Sequence, residues 1–370
     1  MNVKEIQKKV ETIVPLELAQ DWDNVGLLVG DCKRNVKKIL LTIDITSTVL
    51  SEAKTSKADL IISYHPVIWD GLKRITKEGA SDIVYDLIRA NLCVLSLHTA
   101  LDAVMGGIND MLAEIVGIYD GKPIGDYVES PSSERYKVVV FVPKKSIGKV
   151  SNAMFKAGAG FIGNYSHCGF RTEGEGTFLG LEESQPAVGK KGRLEKVPEM
   201  RFEAVVTAKN LEQVISAMLI AHPYETPAFD CYKLFNPQDQ IGLGRIGKLA
   251  KPTQLKSIIQ NIKKATGAKA AGVVGKQNRI VKKAAVCAGS CGKIINTIIA
   301  EKADLYVTGE LKHHHALAAQ EAGLTCLCLS HTVSERFILK KLAKQLQKLL
   351  KQVKISISKT DADPFTWKEL

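Results

Sequence analysis

Two apolar rhythms alternate along the chain. Short apolar runs of the buried-strand kind are followed by stretches in which apolar residues recur every three or four positions, as on an amphipathic helix. Residues 38–44 (KILLTID) predict a strand and 47–57 a helix, with Thr46 or Ser47 as its N-cap. Residues 59–65 (DLIISYH) predict a second strand stopped by Pro66, 81–90 a helix, and 92–97 (LCVLSL) a third strand. This alternation predicts a largely parallel sheet with helices on both faces.

The last third of the chain repeats the pattern. Residues 37–66 (KKILLTIDITSTVLSEAKTSKADLIISYHP) compare with 282–311 (KKAAVCAGSCGKIINTIIAEKADLYVTGEL), both reading strand, helix, Lys-Ala-Asp, strand. Residues 91–102 then compare with 323–335, each ending an apolar strand in His-Thr with a carboxylate four residues after the histidine. Two matched segments in the same order predict two related α/β halves facing each other. A single helix is expected over 332–350.

The middle of the chain differs. Residues 135–143 predict a strand and 147–157 a helix. The glycine-rich stretch 158–180 predicts hairpin strands, 201–206 a strand, 211–221 a helix and 228–235 a strand. This order suggests an inserted ferredoxin-like domain. The fold class expected is therefore α/β: two related α/β lobes, 1–127 and 241–370, forming the core, with a ferredoxin-like α+β domain inserted at 128–240.

Composition narrows the class. The 370 residues are 45% hydrophobic and 24% charged, which fits a globular protein and not a disordered or collagen-like one. The net charge of +12 comes in part from lysines on amphipathic helices, such as Lys340, Lys341, Lys344, Lys348 and Lys351. That reads as a solvated helix face, and without a nucleic-acid motif no nucleic-acid partner is expected. No apolar run approaches the ~20 residues of a membrane span. The N-terminus mixes charges through its apolar positions and reads as neither a secretory signal nor, given Glu5, Glu11 and Glu17, a mitochondrial presequence. Eight scattered cysteines form no pair of CxxC knuckles, so reduced thiols and a cytoplasmic setting are expected.

Ligands of open α/β sheets bind beyond the carboxyl ends of the strands. Three such ends carry metal-competent groups: Tyr64-His65, His98 with Asp102, and His331 with Glu335. Imidazole nitrogen and carboxylate oxygen suit zinc, iron and manganese, and a spacing of four on one helical turn places both side chains on one face. A lone histidine at a strand end is more often a packing or capping residue. Three such ends, two of them related by a repeat, favour a metal. Among His313, His314 and His315, His314 is a candidate for the same cleft, although a solvated helix start explains this cluster equally well. His167 and His222 belong to the insert, where His222 reads as a turn residue. The run 242–247 (GLGRIG) imitates a dinucleotide fingerprint but lacks the strand before it and the helix after it.

With these residues in view, the chain resembles the NGG-one-interacting factor three family, whose members carry the label GTP cyclohydrolase I type 2 homologue. The resemblance runs nearly end to end, on 22–30 (WDNVGLLVG), 63–66 (SYHP), 98–102 (HTALD), 303–310 (ADLYVTGE), 330–335 (SHTVSE) and 363–365 (DPF). The insert, through 163–168 (GNYSHC), 174–178 (GEGTF) and 221–225 (AHPYE), resembles the cation-tolerance and nitrogen-regulator type of ferredoxin-like domain. The resemblance implies a dinuclear centre of zinc, iron or manganese, one or two metals per chain, in a homohexamer. By motif it implies His65, Asp102, His331 and Glu335 as ligands, with Glu335 bridging. It places His98 beside the centre and His314 along the same cleft, both as candidate catalytic groups. The sequence departs from the family where many members carry two successive histidines, for here Tyr64 precedes His65. The activity implied is metal-dependent hydrolytic attack on a nucleotide or related metabolite. The opposing expectation is a non-catalytic, regulatory metal-binding ring acting through a partner or metabolite.

Overall fold

A computed structural model of the chain describes residues 1–124, 134–162, 165–235 and 241–366. The chain divides into a core unit, Met1–Val128 with Gln238–Leu370, and a second unit, Glu129–Pro237. The junctions expected at 127/128 and 240/241 lie outside the described residues, as do Gly163 and Asn164 of the insert motif.

The core opens with helix α1 (Val3–Glu11). Its start is fixed by a capping box in which the Asn2 side chain accepts from the Glu5 amide and the Glu5 carboxylate accepts from the Asn2 amide. Val3, Ile6 and Val10 share the buried face. Then follow β1 (Gly26–Val29), β2 (Lys38–Thr42), α2 (Ser47–Ser56), β3 (Leu60–Ser63), α3 (Asp82–Arg89), β4 (Cys93–Ser96), α4 (His98–Ala103) and α5 (Ile108–Val116). Thr46, not Ser47, caps α2, its side chain accepting from the Val49 amide.

The second unit runs β5 (Arg135–Pro143), α6 (Ile147–Lys156), β6 (Gly169–Leu179), β7 (Leu194–Thr207), α7 (Ala208–Ala221) and β8 (Phe229–Leu234). Its antiparallel sheet has the order β6-β7-β5-β8, the ferredoxin-like arrangement. Val138, Val140, Val142 and Phe202 pack against Val150, Met154, Val214 and Met218 of the two helices. The hairpin expected within 158–180 is instead formed by β6 and β7, and β7 begins well before residue 201. Gly158 and Gly160 have φ of +104° and +76°, so that stretch turns rather than extends. A Cβ on Gly160 would lie 2.7 Å from the Phe155 ring and 2.8 Å from the Cys168 carbonyl oxygen.

The chain returns to the core through β9 (Arg245–Gln254), α8 (Leu255–Thr266), β10 (Gly272–Val274), β11 (Ile280–Cys287), α9 (Ile295–Ala300), β12 (Leu305–Thr308), α10 (His313–Glu321), β13 (Thr325–Cys328), α11 (His331–Arg336), α12 (Ile338–Leu349) and β14 (Lys354–Ile357). The run 242–247 feeds strand β9, and Gly247 lets Asp120 and Ile118 approach closely. The helix expected over 332–350 is two helices meeting at Phe337, which keeps right-handed helical backbone angles (φ −62°, ψ −24°).

The two core sheets are β1-β4-β3-β2-β14 and β10-β13-β12-β11-β9. In each, three central strands run parallel and an antiparallel edge strand lies beside the third. The lobes differ at the other edge, where β14 joins β2 in parallel and β9 joins β11 antiparallel. The repeat extends to single hydrogen bonds. Asp59 Oδ2 accepts from the Lys37 and Lys38 amides, and Asp304 Oδ2 from those of Lys282 and Lys283. Lys57 and Lys302, ending the equivalent helices, both take φ +55°.

Leu97 bonds Ser63 as Leu329 bonds Thr308, and His98 bonds Tyr64 as Ser330 bonds Gly309. The backbone counterpart of His98 is therefore Ser330, and His331 stands one residue further along. The extra residue is accommodated by Ser330, whose φ is +76° and whose hydroxyl donates to Asp363 at 2.6 Å.

Candidate metal centre

Backbone pairing carries the first histidine to its place. The Tyr64 and His65 amides bond Thr42 and Ile43, prolonging the β2–β3 ladder past the end of β3. Helix α4 starts at His98 directly after β4, and α11 starts at His331 after β13, with Glu335 one turn later. The structure brings together His65, His331 and Glu335, whose ligand atoms all lie within 4.8 Å of one another. His331 Nε2 is 3.2 Å from Glu335 Oε1, and His65 Nε2 is 3.5 Å from Oε2.

Each histidine at this end of the sheets is tied by its other nitrogen to a carboxylate. His65 Nδ1 is 2.9 Å from Asp44, His98 Nδ1 is 2.8 Å from Asp23, and His331 Nδ1 is 3.0 Å from Glu310. Metal-binding imidazoles are held in this way, with Nδ1 engaged and Nε2 left for the ion. The Glu335 side chain is 3% exposed, and its Oε2 is buried without a hydrogen-bond partner. Two imidazole Nε2 atoms directed at a buried carboxylate with an unsatisfied oxygen form a donor set that fits a divalent transition metal.

Electrostatics describe the same pocket. The Glu335 hydrogen bond, against the opposing effect of burial, pushes His331 up to about 10, with Glu310 adding to the rise. Burial would lower the His65 imidazole, but Asp44 and Glu335 outweigh it and raise it. Burial would raise the Asp23 carboxyl, yet hydrogen bonds from His98 and Thr99 hold it below its ordinary value.

Asp102 stands outside the triad. Its Oδ1 accepts a hydrogen bond from the Tyr64 hydroxyl, and burial pushes its carboxyl up to about 7. Burial and the carboxylates of Asp102 and Glu335 raise the Tyr64 phenol well above its usual range, so it remains a neutral donor. His98 lies beside the triad, its ring centroid 5.2 Å from that of His65. His314 is exposed on the first turn of α10 with its ring against His315, and the structure does not bring it to the triad.

Sequence reasoning missed several supporting groups. Asp23, Asp44 and Glu310 each lie inside a segment already singled out, but nothing in spacing showed that they hold histidines. Asn109 and Gly289 gave no signal. The buried Asn109 amide donates to the Asp102 carbonyl at 3.0 Å and its oxygen accepts from the Ala288 amide at 2.9 Å, joining the lobes beside the site. Gly289, at φ +71°, lies so close to Glu335 that a Cβ there would be 2.7 Å from Oε1.

Two related α/β lobes whose strand ends converge on carboxylate-held histidines define a class: two-lobed α/β proteins with a metal-competent cleft in the core. Within it, the chain belongs to the Duf34/NIF3 (NGG1p interacting factor 3) family, which matches residues 1–364. It is 36% identical over 358 residues, 95% of each chain, to a Halalkalibacterium halodurans protein named GTP cyclohydrolase 1 type 2 homolog. Among solved structures it resembles a Bacillus cereus protein related to NIF3, at TM-score 0.80 and 36% identity over 100% of this chain and 99% of that one. It also resembles the Staphylococcus aureus protein SA1388, at TM-score 0.81 and 27% identity with the same coverage. Among the described residues no helix is long and apolar enough to cross a membrane.

Proposed function

We propose that the cleft is the reaction site of a metal-dependent hydrolase acting on a nucleotide or related metabolite. The observation that carries this reading is the buried Glu335 carboxylate, its Oε2 without a hydrogen bond, set against two carboxylate-held imidazoles, His65 at Oε2 and His331 at Oε1. The name borne by the curated relatives supports the reaction class. Zinc, iron or manganese bound there would supply Lewis acidity and make water a competent nucleophile near neutral pH.

The chain's own residues divide the remaining work. His65, His331 and Glu335 would hold the ion. Asp102, outside that triad, would serve as a fourth ligand, toward a second ion. Its hydrogen bond from neutral Tyr64 competes with that role, so we read the first metal position as tight and the second as weak. His98, fixed through Nδ1 by Asp23, keeps Nε2 for carrying a proton to or from substrate. His314 is assigned no step. We further read the 129–237 unit as a cation-tolerance and nitrogen-regulator type domain, on its strand order and motif residues, and the assembly as a cytoplasmic homohexamer.

The test is elemental analysis together with turnover of a nucleotide panel. Purified protein is expected to carry at least one transition metal per chain, and His331→Ala or Glu335→Ala to lose most of it together with any turnover. Equal metal in all three proteins would remove the site. Full metal with no turnover of any nucleotide would favour the regulatory, non-catalytic reading.

A further inference from the structure

We propose that Trp22 and Trp69 form a stacking rim at the metal cleft, which selects a substrate carrying a flat heteroaromatic ring of the nucleobase kind. This rests on reading the cleft as the reaction site. Trp22 is 64% exposed and Trp69 53% exposed. Indole is among the costliest side chains to leave in water, and single exposed apolar residues need no explanation. These two are not scattered. Both lie against the same imidazole: ring centroids are 5.9 Å apart for Trp22 and His98 and 5.1 Å for Trp69 and His98. Trp69 also lies 5.8 Å from His65, a member of the metal triad. The indoles meet the His98 ring edge-on, at 76° and 84°, and Trp69 is tilted 40° to the His65 ring, so neither indole lies parallel to a neighbouring imidazole.

The backbone around them is built. The Asn24 side chain donates to the Ile68 carbonyl at 2.7 Å, locking the Trp22 segment to the Trp69 segment. Asp23, next to Trp22, accepts from His98 Nδ1, from the Thr99 amide and from the Thr99 hydroxyl. The Gln20 amide donates to that same hydroxyl at 2.9 Å. Two indoles held on hydrogen-bonded loops carry little ordering cost when a ligand arrives, the condition under which aromatic area becomes affinity. A planar ring stacked on either one would lie beside His98 and within reach of the triad. A ribose offers an indole only the C–H bonds of a small puckered ring, and a phosphate offers no π-face, so neither matches a flat heteroaromatic ring in stacked area.

Equilibrium dialysis of the full-length metal-loaded protein tests this, with guanosine as probe and ribose 5-phosphate as the control without a ring. Guanosine is expected to bind and to quench tryptophan fluorescence, and ribose 5-phosphate to do neither. Trp22→Leu and Trp69→Leu should each weaken guanosine roughly 5- to 150-fold, the range of base–aromatic stacking, while metal content stays at the wild-type level. Trp69→Phe should recover most of the loss. The proposal is overturned if guanosine fails to bind, if the leucine variants bind it as wild type does, or if they instead change the oligomeric state in sedimentation. Ring binding that depends on the tryptophans without turnover would leave the rim standing and remove only the hydrolase reading.

Discussion

Replacing Gly289 by alanine perturbs the metal centre without replacing a ligand. The added Cβ would lie 2.7 Å from Glu335 Oε1 and 3.6 Å from His331 Nε2. Ordinary contact begins near 3.4 Å, so the carboxylate must retreat by 0.7 Å. Glu335 is 2% exposed and cannot swing into solvent. Metal ligands tolerate displacements of only about 0.2 Å, and loss of a supporting contact costs about 10- to 100-fold in metal affinity. A fall of that size is expected for Gly289→Ala. The backbone adds a separate cost, because alanine at φ +71° is strained by roughly 1–2 kcal/mol. Gly267, at φ +77° and ending α8, separates the two effects, since a Cβ there meets nothing within 4 Å. Gly267→Ala should shift the urea midpoint by a similar strain and leave metal binding alone. Zinc affinity from competitive chelator titration, beside urea unfolding, is the assay. Wild-type zinc affinity in Gly289→Ala would refute the reasoning, as would equal losses in both variants.

Tyr64→His should add a second tightly held metal per chain, because it removes the donor on Asp102 and supplies an imidazole that binds without first losing a proton from oxygen. If wild type already holds two metals against chelator and the variant gains none, the account of Tyr64 is wrong. Glu52 offers a pH test away from the site. Burial would raise its carboxyl, but hydrogen bonds from Ser358, the Lys359 amide and Thr360 bring it down to about 2 from an ordinary 4.5. A folded value below the unfolded one stabilises above pH 4.5, and this is lost as pH falls through 2. The urea-midpoint gap between wild type and Glu52→Gln should therefore be wide at pH 7 and narrower at pH 3, and an unchanged gap would contradict the assignment.

The two lobes were legible because a parallel sheet writes itself as apolar runs separated by amphipathic helices, here twice over with Lys-Ala-Asp at the same place. His65, His331 and Glu335 were legible because strand ends and a four-residue spacing are local features. The offset between His98 and His331 was not, since aligning His-Thr with His-Thr conceals the extra Ser330, which only the backbone ladder reveals. Asp23, Asp44 and Glu310 bond histidines 75, 21 and 21 residues away in sequence, and no periodicity encodes such pairings. The glycines at 158 and 160 misled because glycine enrichment suits a hairpin as readily as the turn it forms here.

Strand β14 completes the sheet of the first lobe by pairing with β2, and Asp361 just beyond it accepts from the Ile43 amide at 2.9 Å. During synthesis, then, the first lobe waits with an open edge on β2 while the insert and second lobe emerge, roughly 11–45 s at ordinary elongation rates. Through that interval the edge is a template for mispairing with other chains. A ribosome-bound chain stopped before Lys354 should therefore be the form that recruits chaperones, and release of the last strand the event that ends their hold.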